Sequence, residues 1–175
     1  AASCIDLIES TKKFEIIGVI LKKGDKNIKK KFLKKYQILG NDNDYKKISK
    51  FCKNIVIGIS FYKDLSLRSK IFKDLKKAGF KLPIICSPTS HVSLGTKIDE
   101  GTQIFHNVTI NKNVIIGKNC IINSHALIEH DVAIDQNSQV STGVIINGGC
   151  TIKENSFIGS GSILRENIIV KKKSF

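Results

Sequence analysis

Residues 92–128 read VSLGTKIDEGTQIFHNVTINKNVIIGKNCIINSHALI, and a single count along them decides the fold. Every sixth residue is aliphatic, beginning Val92, Ile98, Ile104 and Ile110, and the count holds for fourteen positions as far as Val170. Two residues before each comes a small or β-branched residue, as at Thr102, Val108, Val114, Cys120 and Ala126. Three residues after each of the first thirteen comes Gly, Asn, Asp or His, as at Gly101, Asn107, Asn113, His125 and Asp131. Those are the residue types that tolerate a positive φ. A short strand, a tight turn through a left-handed residue and another short strand therefore repeat every six residues. Three such units close one triangular coil with the aliphatic ladder inside, which predicts a parallel β-helix of four to five coils over residues 88–175.

Residues 1–87 carry no such period and alternate between helical and strand patterns. Helices are expected over 2–10, 45–53 and 65–78. Strands are expected over 14–21 (FEIIGVIL), 36–39, 54–60 (NIVIGIS) and 81–86. Alternation of this kind predicts a small Rossmann-like α/β domain, a parallel sheet with helices on its faces. The boundary between the two domains is expected at residues 87–90.

Composition narrows the function. The net charge of +14 comes almost wholly from lysine, in short runs such as Lys29-Lys30-Lys31 and Lys171-Lys172-Lys173, with only two arginines (Arg68, Arg165). Base readout favours arginine and single-strand binding favours interleaved aromatics, so nucleic acid is not an expected partner. The charge fits either attraction to an anionic metabolite or a lysine-rich bias. Five cysteines, an odd number without a CxxC pair, argue against a disulfide framework or zinc knuckle and for a reduced cytoplasmic setting. No apolar run approaches the roughly 20 residues that cross a bilayer, so no membrane span is expected, nor is a secretory leader. The first residue is Ala1 and the chain has no Met, as expected of a piece of a longer protein.

Of four histidines, His125 occupies a left-handed turn position and so has a structural explanation; His91 and His106 read as surface residues. His130 stands at an outward turn position where nothing structural demands an imidazole. Asp131 follows it and Glu129 precedes it. An aspartate beside the ring can fix its tautomer and leave the other nitrogen as a general base. One coil later at the same azimuth lies Gly148, where a missing side chain would open the backbone N–H to a developing oxyanion. Cys120 and Cys150 fall at inward positions and read as packing.

The stretch 121–134 (IINSHALIEHDVAI) resembles the active-site segment of the NeuD/PglD-like sugar O- and N-acetyltransferases, a family of hexapeptide-repeat acyltransferases. IDLIES (5–10), EIIGVI (15–20), LGND (39–42) and SPTSHVS (87–93) fall in the same order as in that family. The resemblance implies a left-handed β-helix, the exception to the right-handed crossover rule, and acetyl-CoA as cosubstrate without a metal. It further implies His130 as general base and Asp131 as the acidic residue that tunes it, with Asn123 and Glu129 beside the acceptor. Gly148 would contact the acetyl thioester, and Gln139, Ser160 and Gly161 would lie along the CoA path between neighbouring helices of a homotrimer. The implied reaction is N-acetylation of a nucleotide-linked amino sugar for bacterial surface glycans, with O-acetylation of sialic acid or another sugar as the alternative. The family opens with a strand and a Gly-rich turn that this sequence does not include. Where an acidic pair follows the family's second strand, this chain has Leu21, Lys22 and Lys23.

Two readings of other classes stay open at this point. The spacing His125-x4-His130 matches two ligands of γ-type zinc carbonic anhydrases, although the position of the third, two coils before His125, is Thr89. The β-helix could also be a non-catalytic trimeric scaffold.

Overall fold

The computed structural model describes residues 2–24, 35–60 and 65–175. Its C-terminal part is a three-sided parallel β-helix. Fifteen two-residue strands, from β3 (Ile85–Cys86) to β17 (Ile169–Val170), form three parallel five-stranded sheets. Leu127 pairs with Ile145 and Ala133 with Thr151, so each strand stacks on the strand one coil away. The first face carries β3, Gln103–Ile104, Ile121–Ile122, Gln139–Val140 and Phe157–Ile158. His91–Val92 opens the second face and Lys97–Ile98 the third. A three-sided coil built from three six-residue units is the shape expected of a left-handed β-helix.

The sequence period maps onto this prism directly. The aliphatic positions are the inward residues of the strands, and from Ile104 to Ile158 they are buried. The turn positions from Gly95 to Gly161 adopt positive φ, among them Asn113 at 62°, His125 at 61° and Asp131 at 59°. Hydroxyls and thiols inside the prism are satisfied without breaking it. Thr102 Oγ1 donates to Gly117 O (2.8 Å), Ser156 Oγ to Lys171 O (2.9 Å) and Cys120 Sγ to Asp135 O (3.3 Å), each reaching a turn of the coil that follows. A buried donor left unpaired costs about 1–3 kcal/mol, and the next coil's turn carbonyl removes that cost. Cys120 is fully buried, and burial pushes its thiol up to about 12.

The first rung comes earlier than expected. Ile85–Cys86 pairs with Gln103–Ile104 in the β-helix, whereas the sequence reading gave 81–86 to the preceding domain. Pro83, which has no N–H to donate, separates this rung from Lys81, which bridges Asn54 in parallel.

Ahead of the β-helix lie α1 (Ala2–Thr11), β1 (Val19–Leu21), β2 (Ile38–Asn41), α2 (Tyr45–Ile48) and α3 (Leu65–Lys77). β1 and β2 pair in parallel, and the described residues give no larger sheet here. Residues 14–18 pair with no strand; instead Phe14 and Ile16 join Cys4, Leu7 and Ile8 of α1 against Ile85, Phe105 and Ile121. Residues 54–60 likewise form no strand beyond the Asn54 bridge. The Ile57 carbonyl accepts from two side chains, Gln103 Nε2 (2.8 Å) and Arg68 Nη1 (2.9 Å). Arg68, 1% exposed, also donates to Ile59 O (2.6 Å). Burial pulls its guanidinium down to about 10, which leaves the cation intact at neutral pH. The first face of the prism is thus covered by the N-terminal segment, and the second and third stay open. The lysine run at 29–31 lies outside the described residues.

Candidate active site

The turns between the second and third faces stack into a column in which the same azimuth recurs once per coil. From rung to rung it reads Asn111-Lys112-Asn113, Glu129-His130-Asp131, Asn147-Gly148-Gly149 and Arg165-Glu166-Asn167. Asp131 sits in the left-handed turn position, and its N–H donates to Lys112 O (3.1 Å) in the rung before. That geometry turns its carboxylate back to its neighbour, and Oδ2 stands 2.7 Å from His130 Nδ1. A carboxylate only accepts, so Nδ1 carries a proton, and in the neutral ring Nε2 is the bare nitrogen. Nε2 has no partner among the described residues. The Asp131 carboxyl is held below the usual carboxylate range, first by the hydrogen bond from His130 and then by one from Asn113.

Gly148 has a role beyond the one read from sequence. A Cβ built there would lie 2.7 Å from His130 Cε1, 2.9 Å from Nε2 and 3.3 Å from Nδ1. The imidazole therefore lies across the α-carbon of Gly148, in the space a side chain would fill. The backbone of Gly148 is outside the left-handed region, so conformation does not call for glycine at this position. Its own N–H donates to no group among the described residues.

Two contacts in the column have no counterpart in the sequence reading. Asn113 Nδ2 donates to Asp131 Oδ1 (3.0 Å), and Asn111 Nδ2 donates to Glu129 Oε2 (2.8 Å). Both asparagines precede their carboxylates by one full coil, so the coil length itself is the signal that finds them.

The expected site residues divide between two corners. Glu129, His130, Asp131 and Gly148 come together between the second and third faces. Asn123, Ser160 and Gly161 lie on the corner between the first and second faces, where Asn123 Oδ1 caps Ser124 N (2.9 Å) and a Cβ on Gly161 would meet nothing. Gln139 points out from the first face but is 5% exposed, in the part the N-terminal segment covers. One chain does not bring these groups to one point. A shallow hollow of about 340 Å³ lies on the third face and the corner beyond it, away from His130. Its lining mixes the carboxylates of Asp99, Asp135 and Glu154 with Lys118.

His125 lies on the corner with Asn123, so a single chain does not offer His125 and His130 to one metal. Among the described residues no group of three His, Cys, Asp or Glu could hold a metal ion. His106, expected at the surface, is half-buried and links Ser87 Oγ (2.7 Å) to Asp6 Oδ2 of α1 (3.0 Å). No described helix is long and apolar enough to cross a membrane.

With this geometry in hand, residues 95–130 match the family described as bacterial transferase hexapeptide (six repeats). No curated protein matches the chain. Among solved structures, the hexapeptide prism and its N-terminal segment superpose on the acetyltransferase domain of PglB from Neisseria gonorrhoeae in complex with acetyl coenzyme A. The TM-score is 0.83 at 19% identity, over 96% of this chain and 78% of that one. The same domain determined without that ligand gives a TM-score of 0.82, also at 19% identity and over 96% of this chain and 78% of that one. A histidine-to-asparagine mutant of perosamine N-acetyltransferase from Caulobacter crescentus, in complex with CoA and GDP-perosamine, gives 0.65 at 20% identity over 77% and 71%. These likenesses establish the fold.

Proposed function

We propose that the protein transfers an acetyl group from acetyl-CoA to the amine of a nucleotide-linked amino sugar, in the synthesis of bacterial surface glycans. The observation that carries this reading is the His130–Asp131 pair laid across Gly148 on an open corner of a hexapeptide prism. The names of the structural neighbours support it, since they describe acetyl-CoA or CoA complexes of acetyltransferases, one of them with a GDP-linked amino sugar.

In this reading His130 Nε2 takes the proton from the acceptor amine as its nitrogen attacks the thioester carbonyl. The tetrahedral oxyanion leans on backbone N–H at Gly148, as a preorganised donor lowers the barrier without rearrangement. Collapse expels the CoA thiolate, which regains the proton from the His130 imidazolium. Asp131 holds the ring in the tautomer that exposes Nε2 and stabilises the cation formed. No protein nucleophile is needed, which agrees with the burial of Cys120 and Cys150.

The side chain of His130 is 64% exposed, and one chain supplies only one wall around it. We read the functional unit as a homotrimer in which Ser160 and Gly161 of a neighbouring prism help to line the CoA path. Asn123 and Glu129 would then face the acceptor, and the N-terminal unit would serve as a Rossmann-like substrate lobe.

The test is thiol release from acetyl-CoA, offered with nucleotide-linked amino sugars and with sialic acids, with His130→Ala alongside and a chelator as the zinc control. Acceptor-dependent release that survives the chelator and collapses in His130→Ala is expected. Release with hydroxyl sugars alone would replace the amine by a hydroxyl acceptor. No release and no acetyl-CoA binding would sink the transferase reading.

A further inference from the structure

We infer that Asn113 is a positioning residue for His130, acting through Asp131. The inference rests on the reading of His130 as the base and adds a residue to it.

The chain of contacts is short and continuous. Asn113 Nδ2 donates to Asp131 Oδ1 (3.0 Å), and Asp131 Oδ2 accepts from His130 Nδ1 (2.7 Å). With both oxygens engaged on opposite sides, the carboxylate cannot rotate about its Cβ–Cγ bond without losing one contact. Both ends rise from rigid backbone, since Asn113 (φ 62°) and Asp131 (φ 59°) occupy equivalent turn positions of successive coils. The pair His130–Asp131 is itself exposed, with side chains 64% and 56% accessible. Water competes for an exposed carboxylate, so a fixed second donor is what keeps Oδ2 directed at the ring.

The neighbouring contacts show that this is not a general property of the turn register. On another corner Asn119 Nδ2 donates to Asn137 Oδ1 (2.9 Å), a buried contact between two amides that involves no carboxylate. Within the active column, Asn111 holds Glu129, whose carboxylate has no hydrogen bond to His130. Lys112 O of the same rung accepts from the Asp131 N–H, but among the described residues Asn113 is the one side chain from a neighbouring rung that holds the carboxylate orienting the imidazole.

Replacing Asn113 with alanine would strain a left-handed residue, so Asn113→Gly is the informative deletion because glycine keeps the positive φ. Asn155→Gly, at the same turn position (φ 58°) on another corner, controls for backbone effects. Nitrogen-15 spectra of the full-length chain report which ring nitrogen of His130 carries the proton, with no substrate required. The wild type is expected to hold the proton on Nδ1. Asn113→Gly should shift the population toward Nε2–H, and kcat should fall about 10-fold with KM unchanged, the lower end of what outer partners of metal-bound histidines contribute. Asn113→Asp adds a second negative charge near the ring, so the acid limb of its kcat/KM profile should move to higher pH. A purely structural asparagine would not move it. An unchanged tautomer ratio in Asn113→Gly, or the same shift in Asn155→Gly, overturns the inference. If the wild type acetylates no acceptor while the ratio still shifts in Asn113→Gly alone, the positioning stands and the proposed reaction falls.

Discussion

Gly148→Ala should disable the base without disturbing the fold. The added Cβ would sit 2.7 Å from His130 Cε1 and 2.9 Å from Nε2, where carbon contacts settle at about 3.5–4.0 Å. The ring must therefore withdraw by about 1 Å. The Nδ1–Asp131 bond is 2.7 Å, so that retreat carries it beyond hydrogen-bonding range. A displacement of this size at a reacting group costs about 100-fold in rate. Because His130 is exposed, the ring swings into water and nothing in the core moves, and the melting temperature should stay within about 2 °C. The assay is steady-state thiol release from acetyl-CoA with the best acceptor, with thermal unfolding in parallel. The double variant with His130→Ala should be no slower than His130→Ala alone, since both changes remove the same group. The reasoning fails if kcat holds while KM for acetyl-CoA rises. That result would mean the glycine is there to admit the ligand and not to seat the ring.

Other expectations follow from the same coordinates. Asp131 is held low by His130 and Asn113, so carbon-13 NMR should show its carboxyl titrating below the 3.8 of an ordinary aspartate. With the folded value depressed, the His–Asp pair is present above the ordinary value and lost as pH falls through the lowered one. A titration at or above 3.8 would contradict the geometry. Cys120, fully buried and pushed up to about 12, should resist a thiol reagent at pH 8 until the β-helix unfolds, which mass spectrometry of labelled peptides can follow. Ile128→Ala, inside the prism at 0% exposure, should cost about 2–5 kcal/mol and lower the melting temperature measurably.

The β-helix was legible because its rule is strictly local. One inward aliphatic, one small residue and one left-handed turn suffice for each rung, and the same needs return one coil later. The N-terminal unit follows no such rule. Residues 54–60 look like a strand by composition, yet the Ile57 carbonyl is satisfied by Gln103 and Arg68, distant side chains that no local pattern announces. Phe14 and Ile16 are apolar because they pack on the prism, a tertiary demand that imitates strand periodicity. At the candidate site the His130–Asp131 pairing and the azimuth of Gly148 were readable from sequence. The reason for the glycine was not, since it depends on how the imidazole lies. Gln139 entered through the family resemblance alone, and its burial at 5% exposure depends on tertiary packing that no local pattern announces.

The constant spacing of partner strands makes the prism an indexing device, in which position along the sequence is converted into angle about an axis. Inserting one six-residue unit between Asn113 and Glu129 would leave every inward aliphatic inward. It would also turn His130 through one third of a revolution relative to Asn113, severing the contact to Asp131 without creating a cavity. Inserting three such units would restore the angle and part the two by one rung, about 4.8 Å of travel. Length changes in this half of the molecule therefore act on alignment before they act on stability, and only multiples of one full turn keep the corner's chemistry in phase.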